Sequence, residues 1–345
     1  MALSWRVLLV AVVVAAVAAS CSRLGAANPA AVSVLPGLPV AGLAVGFYSA
    51  SCPQVEDLVL AEMRAIVDKD WTLGPALLRF MFHDCLVRGC DASIMLISRN
   101  GTGERDAGPS YGLRGYDEIE RIKAKVEEAC PLTVSCADII AIAARDAVYL
   151  SNGPRYPVET GRRDGKGSAM CDADNDLPPP SSNIVDLKTY FSVKGLGWKD
   201  LVVLSGSHTI GRAQCSTFAS DRLYNYSGGG GQDPSLDKAY AATLREACEA
   251  GLRDDTTEVC MDPATPRTFD LGYYRDVVSH RGLFLSDQAL MDDRWTRAYV
   301  ERMAAAESPD EFFADYAAAM TNMGRIEVLT GANGEIRKVC AAHVD

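Results

Sequence analysis

Three side chains stand out as able to do chemistry. Arg79 and His83 lie four residues apart in LLRFMFHDC, and His208 lies far downstream in LSGSHTIGR. The chain has four histidines in all, the others being His280 and His343. Residues i and i+4 of a helix project from one face as neighbours. A guanidinium beside an imidazole can hold a small polar molecule and take a proton from it. A peroxide suits such a pair, because one oxygen must lose a proton and the other gain it as the O–O bond breaks. A neutral imidazole can act first as base and then as acid. The guanidinium stabilises charge on the departing oxygen, and Phe82 would keep the pocket dry. On residue types alone, a surface arginine and a satisfied core histidine fit equally well.

His208 follows a helix-breaking Ser-Gly and is set to approach a ligand from the other side. The natural filling between two such histidine segments is a haem. An iron-bound imidazole needs a carboxylate on its second nitrogen, which pushes electron density toward the metal. Asp287 in GLFLSDQAL is a candidate, since an acid after an apolar run must be paired or exposed. A plain helix-capping aspartate is the alternative.

Two stretches offer hard oxygen ligands of the mixed kind that calcium takes. In HDCLVRGCDAS these are Asp84, Asp91 and Ser93, the backbone carbonyls of Val87 and Gly89, and Glu104 through water. In MDPATPRTFD they are Asp262, Thr265, Asp270 and the carbonyl of Thr268, joined by the hydroxyl of Thr209. Neither is an EF-hand loop, and solvated turn acids remain the plainer alternative.

These residues sit in a 345-residue chain with 48% apolar and 23% charged residues and a net charge of −11. The composition is globular, and the acidic balance argues against nucleic acid and anionic membranes as partners. Residues 1–27 have the makings of a secretory signal: Arg6, an apolar run from Val7 to Val17, then Ala18, Ala19 and Ser20. Cleavage is expected between 19 and 31, and an uncleaved anchor is the alternative. An irregular lead-in (28–46) and one domain (47–345) follow. Cys21 falls at the signal boundary. The other ten cysteines form an even set, which in an oxidising compartment implies disulfides. Asn100-Gly-Thr and Asn225-Tyr-Ser are glycosylation acceptors in a secreted chain.

Helical spacing recurs over 53–70, 73–83, 116–129, 135–150, 184–193, 198–204, 214–224, 234–251, 273–281, 294–306 and 309–323. The stretch 85–100 and the long segment 153–180 read as loops. Strand patterns are nearly absent. The fold class expected is all-α, with two helical lobes dividing near residue 180 (about 47–180 and 181–345) and one histidine segment in each, which suits a ligand held between them.

The chain resembles the secreted plant haem peroxidases of class III. The matching pieces run from Phe47 to Cys340. They include FYSASCP, LLRFMFHDCLVRGCDASI, LRGYDEIERIK, CPLTVSCADIIAIAARDAV, GRRDG, LVVLSGSHTIGRAQC, MDPATPRTFD, GLFLSDQ, MTNMGRI and GEIRKVC. The resemblance implies haem b bound by His208 with Asp287 as partner, Arg79 and His83 as the peroxide-cleaving pair, and two structural Ca2+ ions at the two loops. It implies disulfides Cys52–Cys130, Cys85–Cys90, Cys136–Cys340 and Cys215–Cys248, and places Pro178 at the rim where phenolic donors dock. Hydrogen peroxide and small phenols are then the partners, a monomer the working unit and the cell wall space the location. The chain has no long tail after Cys340 like the vacuolar extensions of some relatives.

Two departures from the family pattern matter. Ser110 stands where the family has an asparagine that accepts a bond from the distal imidazole. A serine oxygen reaches less far, so a water is expected to intervene. Cys171 and Cys260 fall outside the four-bridge set, and a fifth disulfide between them is expected. A haem-binding wall protein of weak activity and a His-Asp metal phosphohydrolase are the rival readings. The first rests on Ser110 alone, and the second lacks the histidines it needs.

Overall fold

The computed structural model describes residues 39–249 and 255–344. The expected signal, most of the lead-in and Cys21 lie outside the described residues. Among the described residues twelve α-helices carry the architecture: α1 (Val55–Lys69), α2 (Leu73–Leu86), α3 (Tyr116–Ala129), α4 (Cys136–Leu150), α5 (Met170–Asp176), α6 (Ile184–Val193), α7 (Trp198–Ser205), α8 (Lys238–Ala247), α9 (Gly272–Val278), α10 (Leu285–Ala289), α11 (Arg294–Ala305) and α12 (Asp310–Met323). Six short strands, β1 (Ala44–Val45), β2 (Ile97–Ser98), β3 (Glu159–Thr160), β4 (Arg212–Gln214), β5 (Glu258–Cys260) and β6 (His343–Val344), pair as β1–β3, β2–β6 and β4–β5. The molecule is all-α in class, and no helix among the described residues is long and apolar enough to cross a membrane.

Helix α4 is the central beam. Ser135 caps it by accepting from the Asp138 amide at 3.1 Å. Its sequence is apolar on nearly all sides, and it is buried from Cys136 to Val148. Helices α1, α2 and α3 all pack on it. The core continues across residue 180 without a break, and a smaller cluster gathers Phe218, Leu223, Tyr240, Leu244 and Leu283.

Five stretches differ from the periodicity. Residues 214–224 do not form one helix: β4, a tight turn at Cys215–Thr217 and a wide turn at Ser220–Tyr224 replace it. Cys215 is bonded to Cys248 and its amide to the Thr257 carbonyl, which ties the end of β4 and the turn after it to other parts of the chain. Helix α8 is shorter than 234–251 because Asp237 caps it, accepting from the Tyr240 amide. Helix α5 forms inside the expected long loop, and α10 precedes α11. Helix α2 runs three residues past His83 and so carries Asp84 and Cys85 on rigid backbone.

The bonded cysteine pairs are Cys52–Cys130, Cys85–Cys90, Cys136–Cys340 and Cys215–Cys248. The expected bridge between Cys171 and Cys260 is not formed. Cys171 lies in α5, against the turns at 104–110, whereas Cys260 lies in β5 opposite Arg212. Asn100 and Asn225 are both exposed.

The C-terminal segment returns to the first half of the chain. Strand β6 lies parallel to β2, and Cys340 is fixed to α4. Arg337 donates to the carbonyls of Asp91 and Ala92, and its amide donates to Asp164.

One buried acid in α4 sets a pH dependence. Asp146 accepts from Arg145 at 2.6 Å through one oxygen, and its other oxygen has no partner. Burial pushes its carboxyl from the ordinary 3.8 up to about 6, against the pull of Arg145. A raised folded pKa means the folded state holds this proton more tightly than the unfolded chain does. Its contribution to stability is therefore full below the ordinary value and lost as pH rises through about 6. Urea unfolding of wild type against Asp146→Asn, from about pH 4 to about pH 7, should show the wild type losing stability relative to the variant as pH rises.

Candidate active site

The first constellation is built on α2. Arg79 Nε donates to His83 Nε2 at 3.1 Å, and Arg79 Nη2 donates to the Pro109 carbonyl at 3.1 Å. One turn of helix thus delivers both side chains to the same place, and the Gly108–Ser110 turn holds the arginine's other end. His83 is buried. Burial first, and the Arg79 charge second, hold its imidazole well below the usual 6.5. Because Nε2 accepts, the ring proton resides on Nδ1. That Nδ1 is buried without a partner, and so is the Ser110 hydroxyl. No direct bond joins them. Phe82 is half-buried beside His83, edge-on at 6.2 Å, and touches Phe191 of α6 at 6.3 Å.

The second constellation begins where α7 ends. Gly206 to Thr209 form a tight turn that presents His208. A methyl group on Gly206 would lie 2.6 Å from the Tyr274 hydroxyl and 2.8 Å from the Phe312 ring, so only glycine lets the turn sit this close to the core. His208 Nδ1 is 2.7 Å from Asp287 Oδ1. Asp287 is buried and accepts also from the Tyr273 hydroxyl at 3.2 Å and the Phe284 amide at 2.8 Å. It is therefore a helix cap and a histidine partner at once. Tyr273 and Phe284 pack edge-on against the His208 ring at 5.9 and 5.3 Å. With Nδ1 committed, Nε2 is left as the ligating atom.

Helix α5 closes over the first constellation. Asp172 pairs with Arg88 at 2.8 Å, and Asp174 accepts from the Gly108 amide at 3.2 Å. Pro178 is half-buried just beyond it, and Pro180 accepts from the Ser286 amide next to Asp287.

The two oxygen-rich loops also assemble. Asp84, Asp91, Ser93 and Glu104 are all buried. One Asp84 oxygen, both Glu104 oxygens and the Ser93 hydroxyl have no partner. Burial and mutual repulsion raise Asp84 and Glu104 well above the carboxylate range, and burial raises Asp91 to about 6. Such a set is costly without a cation. Val87 is buried and Gly89 turns the loop, with φ +93°. In the other loop, Asp262 accepts from the Thr265 amide and hydroxyl, and Asp270 accepts from the Thr209 hydroxyl at 3.1 Å. Both carboxylates crowd Gly272, where a methyl would meet Asp262 at 1.8 Å and Asp270 at 3.0 Å. Thr268 closes the loop by donating its amide to the Thr265 carbonyl. Among the described residues no group of three or more His, Cys, Asp or Glu side chains is placed to hold a metal alone. An ion held at either loop would take carbonyl and hydroxyl oxygens as well as carboxylates, a donor set that suits calcium better than zinc.

Sequence reasoning missed the Pro109 carbonyl, Phe191, Phe284 and helix α5. The adjacent tyrosines 273 and 274 were a signal for the role of Tyr273 at Asp287. Replacing Gly206 by alanine should overpack the turn under His208 and cost about 1–3 kcal/mol in denaturant unfolding. A variant as stable as the wild type would show that the turn has room to relax.

Comparison with known proteins gives one family. The family model described as Peroxidase matches residues 59–306. Peroxidase 1 of Oryza sativa subsp. japonica is 52% identical over 85% of this chain and 90% of its own length. Peroxidase 3 of Arabidopsis thaliana is 48% identical over 87% and 92%, and Peroxidase 27 of the same plant is 49% identical over 87% and 91%. With its paired arginine and histidine on α2 and its carboxylate-held histidine after α7, the chain belongs to the plant haem peroxidases of class III and is a peroxidase.

Proposed function

We propose that the protein reduces hydrogen peroxide at Arg79 and His83 and oxidises phenolic donors in two one-electron steps. The observation that carries this reading is the 2.7 Å contact between His208 Nδ1 and the buried Asp287, which leaves Nε2 as a ligand atom. The residues fit haem b: His208 would hold its iron, Asp287 would be the partner of that imidazole, and Phe82 would pack against the bound group. The bound haem supplies the redox chemistry, storing the two oxidising equivalents that peroxide delivers.

The chain's own residues do the rest. His83 Nε2, neutral because burial and Arg79 keep it so, takes the proton from the near oxygen of the peroxide and passes it to the far oxygen as water departs. Arg79 releases Nε2 and bonds the leaving oxygen instead. Asp287 holds the His208 ring in one tautomer and orientation. Pro178 and the chain after α5 form the rim where a phenol rests.

Calcium at Asp84, Val87, Gly89, Asp91, Ser93 and Glu104 would pin the end of α2 just past His83. Calcium at Thr209, Asp262, Thr265, Thr268 and Asp270 would pin the residue after His208. The expected secretion signal, the bridges and the exposed Asn100 and Asn225 support a glycosylated protein working outside the cell, and a monomer is the proposed working unit.

The purified protein should show a haem Soret band that changes with one equivalent of peroxide. His83→Leu should keep the band and slow the peroxide reaction by about 10²–10⁴-fold. A protein with no Soret band, or a variant with unchanged rate, would refute the assignment.

Ser110 acts as a positioning residue through a bridging water to His83 Nδ1. This longer link weakens the pull on the ring proton, and the expected cost is about tenfold in peroxide cleavage, the low end of such effects. Ser110→Asn should recover that factor in rapid mixing and shift the acid limb of the rate profile. Equal rates and profiles would reject the role.

A further inference from the structure

Two tryptophans lie stacked on the surface, with ring centres 6.0 Å apart and planes inclined by 25°. Trp198 opens α7 and Trp295 lies in the first turn of α11, with 37% and 50% of their surfaces exposed. Large aromatic rings left in water forgo the burial that would stabilise them. Their position relative to the interior suggests a use.

A line of aromatic rings runs inward from Tyr299, one helical turn along α11 from Trp295. Tyr299 lies four residues after Trp295, on the same face of α11. Tyr299 is buried, 5.9 Å from Tyr274 between ring centres. Tyr274 is 5.2 Å from Tyr273, and Tyr273 is 5.9 Å from His208. Two of these tyrosines have a base on the phenol. Tyr299 donates to Asp315 at 3.0 Å, and Tyr273 donates to Asp287 at 3.2 Å. Tyr274 donates to the Val202 carbonyl at 3.1 Å, which cannot keep a proton.

We propose that this chain of rings carries oxidising equivalents from the His208 side to the Trp198–Trp295 pair, where phenols borne on a polymer too bulky for the inner site are oxidised. The inference rests on the peroxidase reading above. Electron tunnelling falls steeply with distance, so several short steps outrun one long one. Tyr273 and Tyr299 serve as stations, because each can give its phenolic proton to a carboxylate as it loses an electron and recover it on reduction. Tyr274 serves as the bridge between them. Arg294 lies over Trp295 at 4.5 Å and disfavours a lasting positive charge there, which makes Trp198 the outer station.

The balance is simple. Each polymer-borne phenol loses one electron and its hydroxyl proton, becoming a phenoxyl radical, and the proton leaves to solvent. The electron travels inward to the centre that peroxide has oxidised. Two phenols are consumed for each peroxide, which leaves as two waters.

The test uses the haem-loaded enzyme. Peroxide is added without donor in the presence of a spin trap, and the adducts are mapped by peptide mass spectrometry. Turnover of guaiacol is then compared with that of a phenol grafted to a large dextran. Wild type should carry adducts on Trp198. Tyr299→Phe, and separately Trp198→Phe with Trp295→Phe, should abolish them and slow the grafted phenol several-fold while free guaiacol turnover stays unchanged. Absence of adducts at the pair, or grafted-phenol turnover indifferent to both variants, would overturn the proposal alone. A wild-type protein without a Soret band or peroxide turnover would overturn this proposal and the reading beneath it.

Discussion

The Asp287 carboxylate is the constraint on which the rest of the structure converges. Three donors from three parts of the chain end on it: the His208 ring, the Tyr273 hydroxyl and the Phe284 amide. A buried carboxylate is tolerable only when its oxygens are satisfied. Meeting that demand brings together the turn after α7, the start of α9 and the start of α10. The same bonds fix which way the His208 ring points. Folding cost and functional orientation are therefore settled by one set of contacts.

The opposite side of the site follows a different rule. Arg79 and His83 need no long-range assembly, because a single helical turn delivers both. What the rest of the chain supplies there is enclosure. The Pro109 carbonyl anchors the arginine, Phe191 of α6 backs Phe82, and α5 covers the turns beside Ser110. The orphaned His83 Nδ1 and Ser110 hydroxyl mark the place where that enclosure is incomplete. A residue one bond longer than serine would have more reach there.

The sequence made α1, α3 and α4 legible almost to the residue, since caps and breakers such as Ser135 and Pro131 bracket clean apolar stripes. The candidate histidines stood out by type and spacing, though on residue types alone a satisfied core histidine fitted as well. What it hid were features decided at long range. Residues 214–224 carry helical spacing, yet Gln214 pairs with Glu258 of β5 and Cys215 is tied to Cys248. Helix α5 has one buried apolar side chain, Ala173, and gains its place from Arg88 and the Gly108 amide rather than from a stripe. Cys171 and Cys260 matched each other only in being left over. Spatial separation, which spacing along the chain does not encode, keeps them apart.

The returning C-terminal segment bears on how the molecule comes to exist. Arg337, Cys340 and β6 complete the surroundings of Asp91, Asp164, α4 and β2, all of which belong to the first half of the chain. A ribosome releases those early residues long before it makes the ones that finish them. The first half therefore cannot close as an independent unit during synthesis. Of its thiols, Cys136 must stay unpaired until Cys340 emerges, so the timing of oxidation matters to the yield of native protein as much as the choice of partners does.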